Sequence, residues 1–307
     1  MNKLIVSTSP HVRSGASTRG IMLDVLIALI PAAITSIWVF GWQAALMLAV
    51  CIGGCIVFEL GYEKLVKRPV TVGDLSAAVT GMLLALNLPS NLPIWQALLG
   101  CLIAIVVVKQ LFGGLGYNFA NPAITARIVL LICFSTAMTN WVTVDLAAGA
   151  TPLGIMSSGK TELMPSMVNL LLGKHSGSMG ETGTLALLAG GIYLMIRRVI
   201  SWHTPVCFIG TVFLFVFAVK GDLNTALYHV LSGGLMIGAF FMATDYVTTP
   251  YTTWGRVIFG VGCGLITVLI RLWGNYPEGV SFAILLMNIL TPYIIKITSP
   301  KPLGGAK

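Results

Sequence analysis

The sequence predicts an all-α, polytopic membrane protein with about ten transmembrane helices. Of its 307 residues, 56% are hydrophobic and only 9% are charged, whereas a soluble domain carries roughly 25% charged residues. Apolar runs of membrane-spanning length recur along the chain, and one of them is repeated in the second half. These observations exclude a soluble globular domain.

The charges and cysteines fit the same class of protein. The net charge is +8, but the basic residues lie between apolar runs rather than in one cluster. We therefore expect contact with membrane lipid and no nucleic-acid partner. The six cysteines stand inside apolar runs without a CxxC pair, so we expect neither disulfides nor zinc. The long polar N-terminal segment does not resemble a cleaved signal peptide, and the first apolar run is predicted to be a permanent span.

The predicted helices follow from apolar runs, because a membrane span needs about 20 such residues. The runs lie near 21–40, 43–60, 75–88, 94–111, 121–139, 184–200, 204–220, 226–244, 255–273 and 279–297. Two of them, 75–88 and 226–244, are short or rich in glycine. Asn121 and Pro122 are typical of a helix start, with Asn as the cap and Pro at the first helical position. Interrupted spans are tolerated where protein or a water-filled cavity surrounds them.

Lysine and arginine residues set the predicted orientation. In a ten-helix count, the basic residues in the two termini and in two loops all fall on one side of the membrane. They are Lys3, Arg13, Arg19, Lys64, Lys67, Arg68, Arg197, Arg198, Lys296, Lys301 and Lys307. Both termini are therefore predicted to be cytoplasmic, and the polar segment 140–183 external.

An internal repeat divides the chain. GCLIAIVVVKQLFG at 100–113 is similar to GCGLITVLIRLWG at 262–274, with Lys109 and Arg271 nine positions after the first glycine. Unrelated apolar helices also give similarities of this kind. If the repeat is real, each unit has five helices and the two units are inverted, as in transporters with a site near the midplane. The predicted division is a five-helix repeat over 1–139, an external segment over 140–183 and a second repeat over 184–307.

Motifs for soluble cofactor domains are missing from the sequence. It contains no GxGxxG, no P-loop, no histidine pair at metal spacing and no Ser-His-Asp constellation. No loop is long enough to fold as a nucleotide-binding domain. A redox role would therefore require electrons from partner subunits.

The segment DLAAGATPLG, residues 145–154, is similar to the flavinylation motif D-x-x-[ST]-G-A-[ST]. In that motif a flavin transferase attaches FMN to the last Thr through its phosphate. The resemblance makes Thr151 the acceptor, with Asp145, Gly149 and Ala150 as the preceding motif residues. Ala148 departs from the usual Ser or Thr. Taken alone, the stretch also fits an ordinary turn.

Four longer segments resemble the NqrB/RnfD family of membrane subunits. They are SPHVRSGASTRGIMLDVLIALIPA (9–32), NFANPAITAR (118–127), FMATDYVTTPYTTWGRVIFG (241–260) and NYPEGVSFAILLMNILTPYI (275–294). They occur in the family's order, and the chain length favours the Rnf branch. The resemblance implies a fold like that of urea and ammonium transporters, covalent FMN on Thr151 and a second, non-covalent flavin such as riboflavin.

The resemblance also implies a function. The chain would be one subunit of an ion-translocating oxidoreductase in the bacterial inner membrane, beside Rnf-type membrane, iron-sulfur and flavin subunits. The complex would pass electrons between ferredoxin and NAD and couple them to sodium or proton transport. The alternative is a stand-alone channel or transporter for a small solute without a redox centre, and Thr151 in its motif discriminates the two.

Several polar residues in apolar surroundings are candidates for the ion pathway. Asp245 follows a broken span, and an acid at membrane depth is an ion-pathway candidate, although a helix-end cap also explains it. Glu278 lies at the turn in the corresponding part of the other half. Asn121 and Pro122 begin a helix whose free N–H groups suit a flavin or an ion. Arg127 must face a polar cavity or a partner.

Two other acids have simpler interpretations. Asp24 lies near the start of the first helix, where interaction with the helix dipole is expected to explain it. Glu59, near Tyr62, is expected to be an interfacial residue at the edge of the membrane.

Overall fold

The computed structural model describes residues 17–142, 149–159, 164–173, 175–274 and 279–300, and these residues are predominantly helical. The first part of the chain forms α1 (Thr18–Phe40), α2 (Trp42–Leu65), α3 (Ser76–Leu86), α4 (Ile94–Leu102), α5 (Pro122–Cys133) and α6 (Ser135–Met138). The middle forms α7 (Pro152–Ser157) and α8 (Met167–Leu172). The remainder forms α9 (Thr184–Ile196), α10 (His203–Lys220), α11 (Leu223–Leu231), α12 (Leu235–Ile237), α13 (Thr253–Trp273) and α14 (Val280–Thr298).

Helices lie in all ten apolar runs that the sequence predicts. Among the described residues, the five helices α1, α2, α10, α13 and α14 are long and apolar enough to cross a membrane, and the bent pair α11 and α12 would make six. The other runs form shorter apolar helices. The helical membrane class is therefore confirmed, whereas ten crossings stay a prediction.

Two spans are interrupted where the sequence predicts it. α3 has only 11 residues and follows a left-handed residue, Leu75. α11 and α12 are bent by 64° at Gly233 and Gly234, both of which have positive φ. α4 and α12 also continue as π-helices, Ile103–Gln110 and Gly238–Met242. π-Helical turns are rare in proteins, and those that do occur are often found at functional sites. The side chains of these two segments are therefore candidates for a functional role.

The two halves share a packing pattern. α3 and α4 pack on α2 in the first half, and α11 and α13 pack on α10 in the second. Glycines allow the helices to approach closely at both places. A Cβ on Gly81 of α3 would lie 2.6 Å from the carbonyl oxygen of Cys51. A Cβ on Gly260 of α13 would lie 2.8 Å from the carbonyl oxygen of Thr204. A five-helix repeat requires this correspondence, but the inverted arrangement stays a prediction.

The explanation of Asp24 by the helix dipole is wrong. α1 begins at Thr18, capped by Ser17, whose Oγ accepts a hydrogen bond from Gly20 N at 3.1 Å. Asp24 therefore lies in the second turn, where the dipole effect has faded. Its carboxylate instead accepts hydrogen bonds from Tyr193 Oη at 3.0 Å and Arg197 Nη2 at 3.3 Å. Asp24 thus ties α1 to α9.

Replacing Gly190 by alanine is expected to destabilise the α1–α9 contact by about 1–3 kcal/mol, the usual cost of overpacking. A Cβ on Gly190 would overlap the Ala28 carbonyl oxygen, which is backbone and cannot rotate away. Thermal unfolding in detergent measures the effect. Gly210→Ala on α10 is the matched control, because a Cβ there meets nothing within 4 Å. Equal melting temperatures for the two variants would contradict the prediction.

Candidate functional site

A partly open cavity, named the inner cavity, brings together three of the predicted site residues. Asn121, Pro122 and Asp245 line it, although Asn121 and Asp245 are more than a hundred positions apart in the chain. Its volume is about 90 Å³, enough for several water molecules at about 10–15 Å³ each. Lys109 and Asn118 also line the cavity. Thr151 does not, so the predicted flavin acceptor and the predicted ion residue lie at separate places.

Asn121 is held on three sides at the start of α5. Its Oδ1 accepts hydrogen bonds from Ala123 N at 3.1 Å and Ile124 N at 3.3 Å, and its Nδ2 donates to Met242 O at 3.5 Å. The last bond joins α5 to the end of the π-helix that follows α12. Because the side chain itself binds two free N–H groups of the helix, the structure explains the cap. A role for Asn121 and Pro122 toward a flavin or an ion stays a prediction.

Asp245 lies in the turn between α12 and α13, outside the helical spans. It is half-buried, and its Oδ2 accepts a hydrogen bond from Thr248 Oγ1 at 3.1 Å. Burial raises the pKa of the Asp245 carboxyl, and the hydrogen bond from Thr248 acts in the opposite direction. The carboxyl therefore gives up its proton less readily than an exposed aspartate does.

Asp245 also borders a second pocket, named the outer pocket. That pocket has a volume of about 450 Å³, and its lining includes Arg198, Trp202, Tyr246 and Arg256. Asp245 lines both the inner cavity and the outer pocket.

A buried ion pair beside the inner cavity is a feature that the sequence does not predict. Lys109 Nζ lies 2.5 Å from Glu59 Oε1, and the two side chains are 3% and 0% exposed. Lys109 also donates to Ser76 Oγ at 2.6 Å, and Gln110 Nε2 donates to Glu59 Oε1 at 2.8 Å. Glu59 Oε2 has no hydrogen-bond partner among the described residues. The interfacial interpretation of Glu59 is therefore wrong.

The sequence did contain a signal for this pair. Glu59 is an acid near the end of an apolar run, and Lys109 is a base near the end of another. Ionisable side chains at membrane depth face the protein interior and pair with one another. Which base would meet which acid, however, depends on the fold and is not indicated by the pattern of residues.

Arg127 agrees with its prediction in part. It is buried, and its Nη1 donates to Ser281 Oγ at 2.6 Å. The guanidinium thus lies between α5 and the first turn of α14, and it faces a polar neighbour as expected. Glu278, just before α14, lies outside the described residues.

Thr151 lies in a well-defined turn. It is the N-cap of α7, its Oγ1 accepts a hydrogen bond from Gly154 N at 3.1 Å, and Pro152 occupies the first helical position. Its side chain is buried, whereas Ala150 is exposed. Gly149 N donates to Trp141 O at 3.0 Å. Asp145 lies outside the described residues.

The environment of α7 contains polar atoms suited to a polar group. Leu153 of α7 reaches Gly233 at the bend between α11 and α12. Near that bend, His229 Nδ1 and Ser232 Oγ are buried and have no hydrogen-bond partner among the described residues. Buried polar atoms are normally hydrogen-bonded. These atoms therefore fit a polar group, such as that of a bound cofactor or ordered water, beside the Thr151 turn.

Comparisons with known proteins cover almost the whole chain. It is 46% identical to the D subunit of the Na(+)-translocating ferredoxin:NAD(+) oxidoreductase complex of Acetobacterium woodii, over 99% of this chain and 96% of the relative. It is 42% identical to the D subunit of the proton-translocating ferredoxin:NAD(+) oxidoreductase complex of Clostridium ljungdahlii, over 99% and 97%. It is 37% identical to the D subunit of the ion-translocating oxidoreductase complex of Ectopseudomonas mendocina, over 98% and 96%. The model of the NQR2, RnfD, RnfE family matches residues 5–304, and the chain belongs to this family.

Proposed function

We propose that the chain is the D-type membrane subunit of an ion-translocating ferredoxin:NAD oxidoreductase complex in the bacterial inner membrane. The observation that carries the proposal is the near-complete coverage of relatives that bear this name. Its partners are the other membrane, iron-sulfur and flavin subunits of such a complex. Both termini are placed in the cytoplasm and the Thr151 segment outside, because basic residues concentrate on one predicted side.

Thr151 is proposed to carry FMN as a phosphoester, attached by a flavin transferase. The hydroxyl caps the short helix α7, and the buried polar atoms of His229 and Ser232 near α7 fit the polar parts of an attached flavin. When bound, the flavin supplies the carrier for electrons. Because Thr151 is buried and caps α7, we expect attachment to require transient opening of this turn. A second, non-covalent flavin such as riboflavin belongs to the same proposal.

The coupling ion is proposed to use the inner cavity and Asp245. Asp245 is a lining residue of both the inner cavity and the outer pocket. Negative charge gained by a flavin favours uptake of a cation nearby when water screens it poorly. Reduction and ion binding then assist each other reciprocally. The relative at 46% identity is named as part of a sodium-translocating complex, and the relative at 42% as part of a proton-translocating complex. Sequence identity to these relatives therefore does not decide which ion is transported.

The first experiment measures the intact mass of the protein co-expressed with a flavin transferase. We expect the mass to increase by one FMN, and the increase to vanish in Thr151→Ala. Fluorescence of the denatured band in a gel confirms a covalent flavin. Ser157→Ala is the matched control, because it removes another hydroxyl at the far end of the same short helix, and this variant should keep the flavin.

Absence of the flavin from both the parent protein and the control would overturn the assignment of Thr151 as the flavin acceptor. The transferase must label a second substrate in the same cells for this result to count. The broken helices around the inner cavity would then favour the alternative function, a channel or transporter for a small solute without a redox centre.

A further inference from the structure

The bend between α11 and α12 is organised by one buried arginine. Arg271, near the end of α13, is 7% exposed. Its guanidinium donates to the carbonyl oxygens of His229, of Ser232 at 3.0 Å and of Gly233 at 3.2 Å. A bend leaves carbonyl groups without helical partners, and the planar fork of an arginine can bind several of them at once. Arg271 therefore fixes the shape of this bend.

The same bend is in contact with the Thr151 turn. Gly233 has φ +72°, and a Cβ built on it would overlap Leu153 Cδ1 and lie 2.6 Å from Arg271 Nη2. Leu153 is 3% exposed and lies two residues after Thr151. Only a glycine leaves room for this contact and adopts this conformation without strain. Leu153, Gly233 and Arg271 form a continuous stack from α7 to α13.

Polar atoms without partners surround the stack. Thr267 lies one turn before Arg271 on the same face of α13, and its Oγ1 is buried without a hydrogen-bond partner among the described residues. The same holds for His229 Nδ1 and Ser232 Oγ. Two of the three residues that bind the Arg271 guanidinium through their carbonyl groups, His229 and Ser232, thus also present unused side-chain atoms.

We propose that Arg271 is a positioning residue for the flavin acceptor. It holds the α11–α12 bend as a rigid surface on which Leu153 rests, and Leu153 in turn fixes Thr151. The inference deepens the proposed function, because it gives the second half of the chain a role toward the group proposed on Thr151. The packing part of the inference holds whether or not the flavin is attached there.

Arg271 also has an electrostatic consequence. Its positive charge is buried close to the segment that is proposed to carry the flavin. A positive charge favours the reduced, more negative form of a nearby group, and low dielectric strengthens the effect. Arg271 is therefore expected to raise the midpoint potential of the attached flavin.

A labelling experiment tests the packing without any flavin. Thr151→Cys is reacted with a water-soluble maleimide in detergent, and the protein with its natural Thr151 gives the background from the other cysteines. We expect slow labelling in Thr151→Cys and labelling on the order of tenfold faster when Gly233→Ala or Arg271→Lys is added. Gly221→Ala is the matched control, because Gly221 also has positive φ, at +67°, and a Cβ there meets nothing within 4 Å. Equal labelling in the Gly233 and Gly221 variants would overturn the inference.

A second measurement follows the midpoint potential of the flavin in proteins that keep Thr151. Arg271→Met is expected to lower the potential, and Arg271→Lys is expected to retain most of it because the charge stays. An unchanged potential in Arg271→Met would overturn the electrostatic part. If the parent protein carries no covalent flavin, the proposed function fails at Thr151, whereas the labelling result still decides whether Arg271 positions this segment.

Discussion

Replacing Lys109 by methionine is expected to destabilise the folded protein by about 3–5 kcal/mol, because the change leaves a buried charge without its partner. Glu59 is fully buried, and its Oε1 accepts hydrogen bonds from Lys109 and Gln110. Methionine fills a similar volume, so the loss reports on the charge rather than on a cavity. Unfolding of the purified protein in detergent measures the effect.

The double variant separates the charge from the packing. Glu59→Gln combined with Lys109→Met removes both charges, and we expect it to be more stable than Lys109→Met alone, since replacing a buried pair by neutral groups is often nearly neutral. Lys64→Met, which removes an exposed lysine from the end of α2, is the surface control. The interpretation fails if the single and the double variants lose the same stability.

The positions of Lys109 and Arg271 illustrate what the sequence predicts well. The repeat pairs them, and each side chain reaches the region just before or at the start of a short helix: Lys109 donates to Ser76 Oγ at the first residue of α3, and Arg271 donates to carbonyl groups just before α12. The sequence thus predicted where the apolar helices lie, since helices are found in all ten apolar runs. The equivalence of the two halves stays a prediction.

Glu59 and Asp24 illustrate what it could not predict. The partner of Glu59 is 50 residues away, and that base lies in a π-helix, where an altered turn lets the adjacent Lys109 and Gln110 reach the same oxygen. Helical periodicity does not foresee such a change of register. The error at Asp24 came from a helix boundary displaced by three residues, since boundaries depend on caps such as Ser17.

The cavity shows a further limit of sequence reasoning. Asn121, Pro122 and Asp245 were predicted separately, and only the fold brings them to one space. The bond from Asn121 Nδ2 to Met242 O links two segments of the chain that are 121 residues apart. Neither composition nor periodicity contains that information.

Asp245→Asn is expected to abolish most of the dependence of electron transfer on the coupling ion in the assembled complex. Coupling between sites typically changes affinity by roughly 5- to 150-fold. The apparent affinity for the ion should therefore decrease by a factor in that range. The amide keeps the shape and the hydrogen bond from Thr248 but removes the negative charge. Electron-transfer rates measured over a range of ion concentrations report the change, and Asp245→Glu should restore part of it.

The effect of the ion on electron transfer is expected to depend on pH through the Asp245 carboxyl. Because burial raises the pKa of Asp245, its carboxyl is neutralised at a higher pH than that of an exposed aspartate. For a sodium-coupled complex, stimulation of electron transfer by sodium should then weaken as the pH falls, and this loss should be absent in Asp245→Asn. Asp222→Asn is the control, because Asp222 is an exposed cap of α11 and its loss leaves the cavity unchanged. Full ion dependence in Asp245→Asn would remove this residue from the ion pathway and leave the buried Glu59–Lys109 pair, which also adjoins the cavity, as the next group to test.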